Sequence, residues 1–322
     1  MSERVRTKDS GALTGDARGG GKMRTLLICH EGARLDSVVL ARWLASFSEL
    51  AGMIVIRENR QRVERRLKRE IKRVGLVRFF DVLAFRVYYK LKSAGADRKW
   101  EEEQIEALSR VYPPHGDDVP VLVTHSPNSA EAEAFIKEHR PDIMIARCKT
   151  LLKENIFSLA RAGTFVMHPG VCPEYRNAHG CFWALAEDDA ERVGMTLLRI
   201  DRGVDTGPVY GYYSYAFDAA RESHIRIQHR VVLENLDALR EKLIDIHAGR
   251  AVALDTTGRE SATWGQPWLS RHFKIRRRAR SGKARGGVEA HGERASDAKA
   301  RDAKAMEAGA ETTGGATAEG RS

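Results

Sequence analysis

Three side chains near the middle of the chain combine types and settings suited to proton chemistry. His168 ends the apolar run "GTFVMH" and opens the aperiodic stretch "PGVCPEYRNAHG". Asp201 and Asp205 lie in a second irregular stretch, "DRGVDTGP", whose glycines permit tight turns and close backbone approach to a ligand. A His at one strand end and an Asp at a neighbouring one form an acid/base pair. The carboxylate favours the charged ring, and a charged ring can stabilise negative oxygen. "DRGVDTGP" moves the reading of His168 from a structural strand-end histidine to a site residue. Asp201 reads instead as a turn-former. His179 reads equally as loop packing or as a substrate contact. Tyr175 and Arg176 read as an anion-binding pair or as an exposed loop pair. Cys29, Cys148, Cys172 and Cys181 have no CxxC or zinc spacing, so neither a metal site nor an activated thiolate is expected. Reduced thiols in a cytoplasmic protein are the simple reading.

The elements that must position these residues follow from apolar periodicity. "MRTLLIC" (23–29), "AGMIVIR" (51–57), "VPVLVT" (119–124), "PDIMIARC" and "GTFVMH" read as strands, and "GMTLLRI" and "PVYGYYSYAF" as later ones. Helical spacing falls between them at 33–47, after the Asn-Ser start of "NSAEAEAFIKEH", at "LLKENIFSLAR" and across 219–248 as one long amphipathic helix. Alternation of this kind predicts an α/β fold, a mainly parallel sheet with helices on both faces. Ligands of such sheets bind beyond the carboxyl ends of strands, which is where His168 falls. "CHEGARLDS" holds the single Gly32, so a nucleotide cradled on a glycine-rich loop is not expected.

Charge and composition set the domain limits. Of 322 residues, 1–22 and 276–322 are nearly devoid of large apolar side chains and are expected to be disordered tails. The remaining 23–275 suffice for one core. The net charge of +10 is concentrated in an insertion at about 57–115, where residues 57–99 alone hold 15 Lys/Arg against 5 Asp/Glu. There Val63, Leu67, Ile71 and Val74 share one helical stripe, Gly75 predicts a kink, and "FFDVLAFRVYY" follows. Three readings stay open for it: a helix capping the core, a membrane-surface or assembly contact, and an RNA-phosphate contact. No apolar run reaches the length of a membrane span and no secretory leader is evident, so the protein is expected in the cytoplasm, with a peripheral membrane position left open.

The pattern H-P-G-x-x-P-x-Y-R followed by G-M-T-L-x-x-I-D-x-G-x-D-T-G-P resembles the formyltransferase-fold family. That family includes glycinamide ribonucleotide, methionyl-tRNA and sugar N-formyltransferases and formyltetrahydrofolate hydrolase. The resemblance runs from about Met23 to Phe217 and is strongest over 141–213. It implies a Rossmann-like sheet and a formyl group donated by 10-formyltetrahydrofolate, with no metal. His168 matches the family's histidine and Asp205 its aspartate, 37 residues on. The family's asparagine, two before the histidine, is Val166 here. The implied roles are Asp205 as base and His168 as oxyanion donor. Loss of one oxyanion donor costs ~100–1000-fold, and Asn177 and His179 are the nearest candidates to replace it. Lys149, Thr150, Leu151, Asp201 and Val204 are the implied folate contacts, with Arg147-Cys148 where the family has a Gly-aromatic pair. Tyr175, Arg176, Asn177 and His179 are the implied acceptor contacts. The segment after Phe217 predicts no β-barrel of the methionyl-tRNA type. Formyl transfer to a small primary amine, for example an amino sugar, is the leading expectation. Hydrolysis of the formyl-folate, a methionyl-tRNA-type activity and a non-catalytic folate-binding role remain beside it.

Overall fold

The computed structural model describes residues 22–58, 60–116 and 118–281, with backbone alone at 60–69, 73 and 285–286. Most of the two expected tails therefore lies outside the described residues. The boundary at 276 does not hold, because helix α9 (Leu269–Arg280) runs across it. Ile275 and Ala279 on its inner face are buried, and that burial holds the arginine-rich turn in place.

Seven strands make the central sheet. They are β1 (Arg24–His30), β2 (Glu49–Ile56), β3 (Val121–Thr124), β4 (Ile143–Arg147), β5 (Gly163–His168), β7 (Met195–Arg199) and β8 (Val209–Tyr213), in the order β3-β2-β1-β4-β5-β7-β8. Short strands lie outside it: β6 (Arg176–Asn177), β9 (Phe217–Asp218), β10 (Thr263–Trp264) and β11 (Arg285–Gly286). The first five strands in that order pair in parallel, as the alternation of elements predicts. β7 is antiparallel to β5, and β8 antiparallel to β7. Successive side chains of a strand face opposite sides. Leu27 and Cys29 accordingly join one apolar cluster, and Leu26 and Ile28 the other.

Helices cover both faces. Ala132 and Ile136 of α4 (Ala130–His139) and Ile156 of α5 (Glu154–Phe157) seal the smaller cluster. Ser129 caps α4 by accepting from the Ala132 N–H at 3.2 Å, worth about 1 kcal/mol. On the other face lie α1 (Ala41–Phe47), α6 (Gly180–Ala186), α7 (His224–Leu233), α8 (Leu236–His247) and α9. The stretch 33–47 is helical as expected, but Leu35–Leu40 winds with wider π-type turns before α1. The expected long helix at 219–248 is two, α7 and α8. At the break, Asn235 Nδ2 donates to Val231 O and Ser214 O and supplies hydrogen bonds that the bend would otherwise forfeit.

The insertion forms the crossover between β2 and β3, as α2 (Arg60–Lys92) and α3 (Ala94–Val111). Gly75 sits at φ 77, so the expected kink is present and is a left-handed one that glycine alone adopts without strain. Beyond it, Val82 and Phe85 are buried. The Phe85 ring lies 5.6 Å from that of Phe182, 5.0 Å from His224 and 5.3 Å from His272.

Candidate active site

His168 and Asp205 meet. His168 Nδ1 lies 3.4 Å from Asp205 Oδ2, and both side chains are largely buried. They do not meet as neighbouring strand tips. Because β7 runs antiparallel to β5, its end at Arg199 lies beside Phe165, three residues back from His168. The loop 201–208 then folds back along β5 to bring Asp205 to the imidazole. Asp201 builds that loop: its carboxylate accepts from the Gly203 N–H at 2.9 Å and the Thr206 hydroxyl at 2.8 Å.

The imidazole is held from its other side. Nε2 donates to the Tyr175 carbonyl at 2.8 Å, leaving Nδ1 as the nitrogen turned to Asp205. This grip needs two glycines in contact. A Cβ on Gly170 would stand 2.8 Å from His168 Nε2 and 2.5 Å from Tyr175 O. One on Gly180 would stand 2.4 Å from Gly170 Cα. Asp205 Oδ2 also accepts the Asn177 N–H at 2.8 Å, whereas Oδ1 accepts no hydrogen bond among the described residues. Asn177, His179 and Asp205 all have positive φ, at 78°, 55° and 51°. Each such non-glycine residue costs on the order of 1 kcal/mol, and strain of this kind collects at functional sites.

The other expected site residues are distributed unevenly around this pair. Tyr175 supplies its carbonyl and not its ring. Its hydroxyl donates to Asp189 at 2.8 Å, its ring stacks on Trp264 at 5.8 Å, and burial raises its pKa. The Tyr175 side chain is thus buried and its hydroxyl is engaged within the chain, which differs from an exposed loop residue. Arg176 reaches inward, with Nη1 donating to Val204 O at 3.0 Å, while its buried Nε has no hydrogen-bond partner. Asn177 Nδ2 donates one of its two N–H groups to Trp264 O. His179 Nδ1 lies 3.1 Å from Gln228 Nε2. Desolvation, with Lys149 and Arg86 nearby, lowers the His179 pKa to about 4, so the ring is neutral at pH 7. Asn177 thus spends one amide N–H on Trp264 O, and His179 Nδ1 accepts from the Gln228 amide.

Val166 shares a face of β5 with His168 and packs against an apolar cluster of Cys172, Leu198 and Val209. On the opposite face, Arg147 pairs with Asp36 at 2.9 Å and donates to Met167 O at 2.6 Å. Lys149 and Leu151 are exposed in the loop after β4, where the Lys149 N–H donates to His30 Nε2 at 3.1 Å. Thr150 O accepts from the Cys148 thiol. Burial lifts the Cys181 thiol to about 12 and the Cys172 thiol in the same direction, so neither is a thiolate.

Sequence reasoning missed the wall of the site. Trp264 is stacked between Tyr175 and Trp183, the latter 4.8 Å away at 25°. Its strand β10 pairs with β6, and its Nε1 donates to Glu174 O at 2.8 Å. The signal was the tryptophan-rich "ATWGQPW", which carries no periodicity that would tie it to a loop 87 residues earlier.

Residues 96–243 match the family model described as formyl transferase. Methionyl-tRNA formyltransferase of Thermotoga maritima is 28% identical over 162 residues, covering 48% of this chain and 50% of that protein. The corresponding protein of Kosmotoga olearia is 32% identical over 119 residues, 37% of this chain and 36% of its own. The chain thus spans half or less of the length of these curated relatives. Among solved structures, a sugar N-formyltransferase from a Shewanella species aligns at 13% identity and a TM-score of 0.44, over 80% of this chain and 87% of that one. Phosphoribosylglycinamide formyltransferase of Anaplasma phagocytophilum aligns at 13% and 0.45, over 76% and 100%. A formyl transferase domain is therefore matched over residues 96–243, the span that contains both His168 and Asp205.

Proposed function

We propose that the protein transfers a formyl group from 10-formyltetrahydrofolate to the primary amine of a small acceptor, an amino sugar being one such class. The observation that carries this reading is the His168–Asp205 contact at 3.4 Å, made by segments 37 residues apart that the fold brings together.

The steps assign one task to each group. The acceptor nitrogen attacks the formyl carbon, forming a C–N bond and a tetrahedral oxyanion. Asp205 Oδ1, the oxygen without a partner, takes the proton leaving the amine. His168 serves as the oxyanion donor through its Nδ1 edge, while Nε2–H stays anchored on Tyr175 O. Collapse of the intermediate breaks the bond to the folate N10, which takes up a proton. Val166 offers no donor, so the asparagine's contribution falls to another group. Arg176 Nε is a buried donor without a partner on the residue next to Asn177, whose N–H holds Asp205. Leaving such a donor unmade costs about 1–3 kcal/mol, which an anion there would offset. Leu151 and Lys149 offer an apolar edge and a cation at the loop after β4. Those fit a pterin ring and a glutamate carboxylate.

A second reading has an observation of its own. Val166 closes the asparagine's place with apolar packing, which favours a protein that binds the folate without transferring from it. Incubation with 10-formyltetrahydrofolate and a panel of amino sugars separates the possibilities. A formylated amine supports the proposal. Free formate without formylated amine overturns it in favour of hydrolysis. Folate binding with neither product overturns it in favour of the second reading. Formylation confined to methionyl-tRNA would overturn the small-acceptor assignment. Val166→Asn in an active protein should raise the rate if no substitute donor operates. Arg176→Met should lower it if Arg176 is that substitute.

A further inference from the structure

We propose that the outer face of α2 after Gly75, together with α9, docks this protein onto an anionic lipid bilayer. Helical geometry places residues three and four apart on one side. Leu76, Phe80, Leu83, Val87 and Leu91 follow that spacing and form a single stripe, opposite the buried Val82 and Phe85. All five are exposed, Leu76 and Phe80 each at 64% and Leu91 at 76%. The stripe spans about 22 Å along the helix. An ordered helix whose inner side is filled by the core has no need of a second apolar side, and a continuous exposed apolar surface marks an interaction site.

The surroundings select the partner. Arg86 and Lys90 flank the stripe, both exposed. On the other flank lies α9, tied to α2 by the Ser270 N–H and hydroxyl, which both donate to Asp81. Phe273 of α9 is 52% exposed, with its ring 5.5 Å from that of Tyr88. It extends the apolar surface and lines an open depression of about 600 Å³ with Arg276, Arg277 and Arg280. Residues 76–92 hold four Lys/Arg and one acid, Asp81, which Ser270 engages; 269–280 holds six Lys/Arg. Of these, Arg271 and Arg278 pair with Glu187 and Asp188, and Arg276 donates to the Ala219 and Ala220 carbonyls, leaving Lys274, Arg277 and Arg280 for an outside partner. Apolar side chains that enter the headgroup boundary, ringed by cations that meet lipid phosphates, are the makings of an interfacial helix. Among the described residues no helix is long and apolar enough to cross a membrane, so the contact is with the surface. A second copy fits less well, since the same cations would face each other. Nucleic-acid phosphates would use the cations but leave five apolar side chains in water.

Flotation of the full chain with lipid vesicles tests this independently of the formyl-transfer reading. Vesicles of phosphatidylcholine with phosphatidylglycerol should carry the protein up, roughly tenfold more than phosphatidylcholine alone, and less at high salt. The triple variant Phe80→Glu, Leu83→Glu, Val87→Glu should reduce that partition by roughly tenfold or more. Its circular dichroism and Tm should match the parent, because the three positions face away from the core. The proposal is overturned if anionic vesicles carry no protein, or if neutral and anionic vesicles carry equal amounts. Unchanged partition of the triple variant also overturns it and moves the contact elsewhere on the chain. Dimers in analytical ultracentrifugation that the triple variant abolishes, without flotation, overturn it in favour of a second copy. RNA binding untouched by the triple variant, again without flotation, overturns it in favour of phosphate recognition by the cations alone.

Discussion

The loop that carries His168 and the helix that follows Gly75 use their side chains in opposite ways. Around His168 the chain turns inward. A carbonyl grips one ring nitrogen, a carboxylate faces the other, two glycines touch, and three non-glycine residues hold positive φ. Almost every polar group there has one partner and one geometry. Along α2 the inner side is packed, while five large apolar side chains lie outside in water. The first region is organised so that small displacements matter. The second is organised as a surface whose substitutions leave the fold alone. What separates them is whether a neighbour depends on the side chain.

That contrast can be tested at each end. The largest effect belongs to the carboxylate. Asp205→Asn should lower formyl transfer by about 10²–10⁴-fold, measured as turnover at saturating folate, because it removes the base and the partner of His168. A residual rate within a few-fold of the parent would show that the inward geometry is not catalytic. Next is the pair beneath the sheet. Arg147→Ala leaves Asp36 buried without its cation and should cost about 3–5 kcal/mol in urea unfolding.

Gly170→Ala comes third. Its Cβ would displace His168 from Tyr175 O and Gly170 from Gly180, for a loss of about 1–3 kcal/mol. An unchanged midpoint would mean that the grip on the imidazole is slack.

Acid provides a fourth probe. The rings of His179 and His224 lie 5.5 Å apart, and those of His224 and His272 both lie against Phe85. Burial lowers the pKa of all three, to about 4 for His179 and His272. Lys149 and Arg86 add to this at His179, and Arg276 does at His272. The unfolded chain therefore takes up protons first. The stability these rings support is complete above about pH 6.5 and falls as pH drops toward 4. Tm should fall by several degrees between pH 7 and pH 5, and His224→Phe should flatten that slope. The smallest effect is on the outer face of α2. Leu83→Ser should change stability by no more than about 0.5 kcal/mol. A larger loss would show that the stripe is covered within this chain and would end the comparison.

Much of the site was legible because its signals are local. A histidine closing an apolar run and an aspartate in a glycine-rich turn can be read from a few residues each. Asp201 as a turn-former needed only its distance to Gly203 and Thr206. Tyr175 was not legible, since its contribution is a carbonyl, which every residue has. Trp264 reaches the site through long-range contacts, the pairing of β10 with β6 and the stacking on Tyr175 and Trp183. The split between α7 and α8 was hidden because apolar periodicity continues across Asn235 while the backbone does not.

The amino-acid order by itself determined the alternation of strand and helix, the kink at Gly75, the cationic insertion and the two residues at the centre of the candidate site. These depend on periodicities and backbone preferences within a few turns of chain. Only the tertiary structure decided that β7 runs antiparallel, that the loop 201–208 folds back to His168, and that one side of α2 stays uncovered. An alternating pattern reads the same in either strand direction, and an apolar stripe does not say what will cover it. Both questions are answered by contacts between residues far apart in the chain.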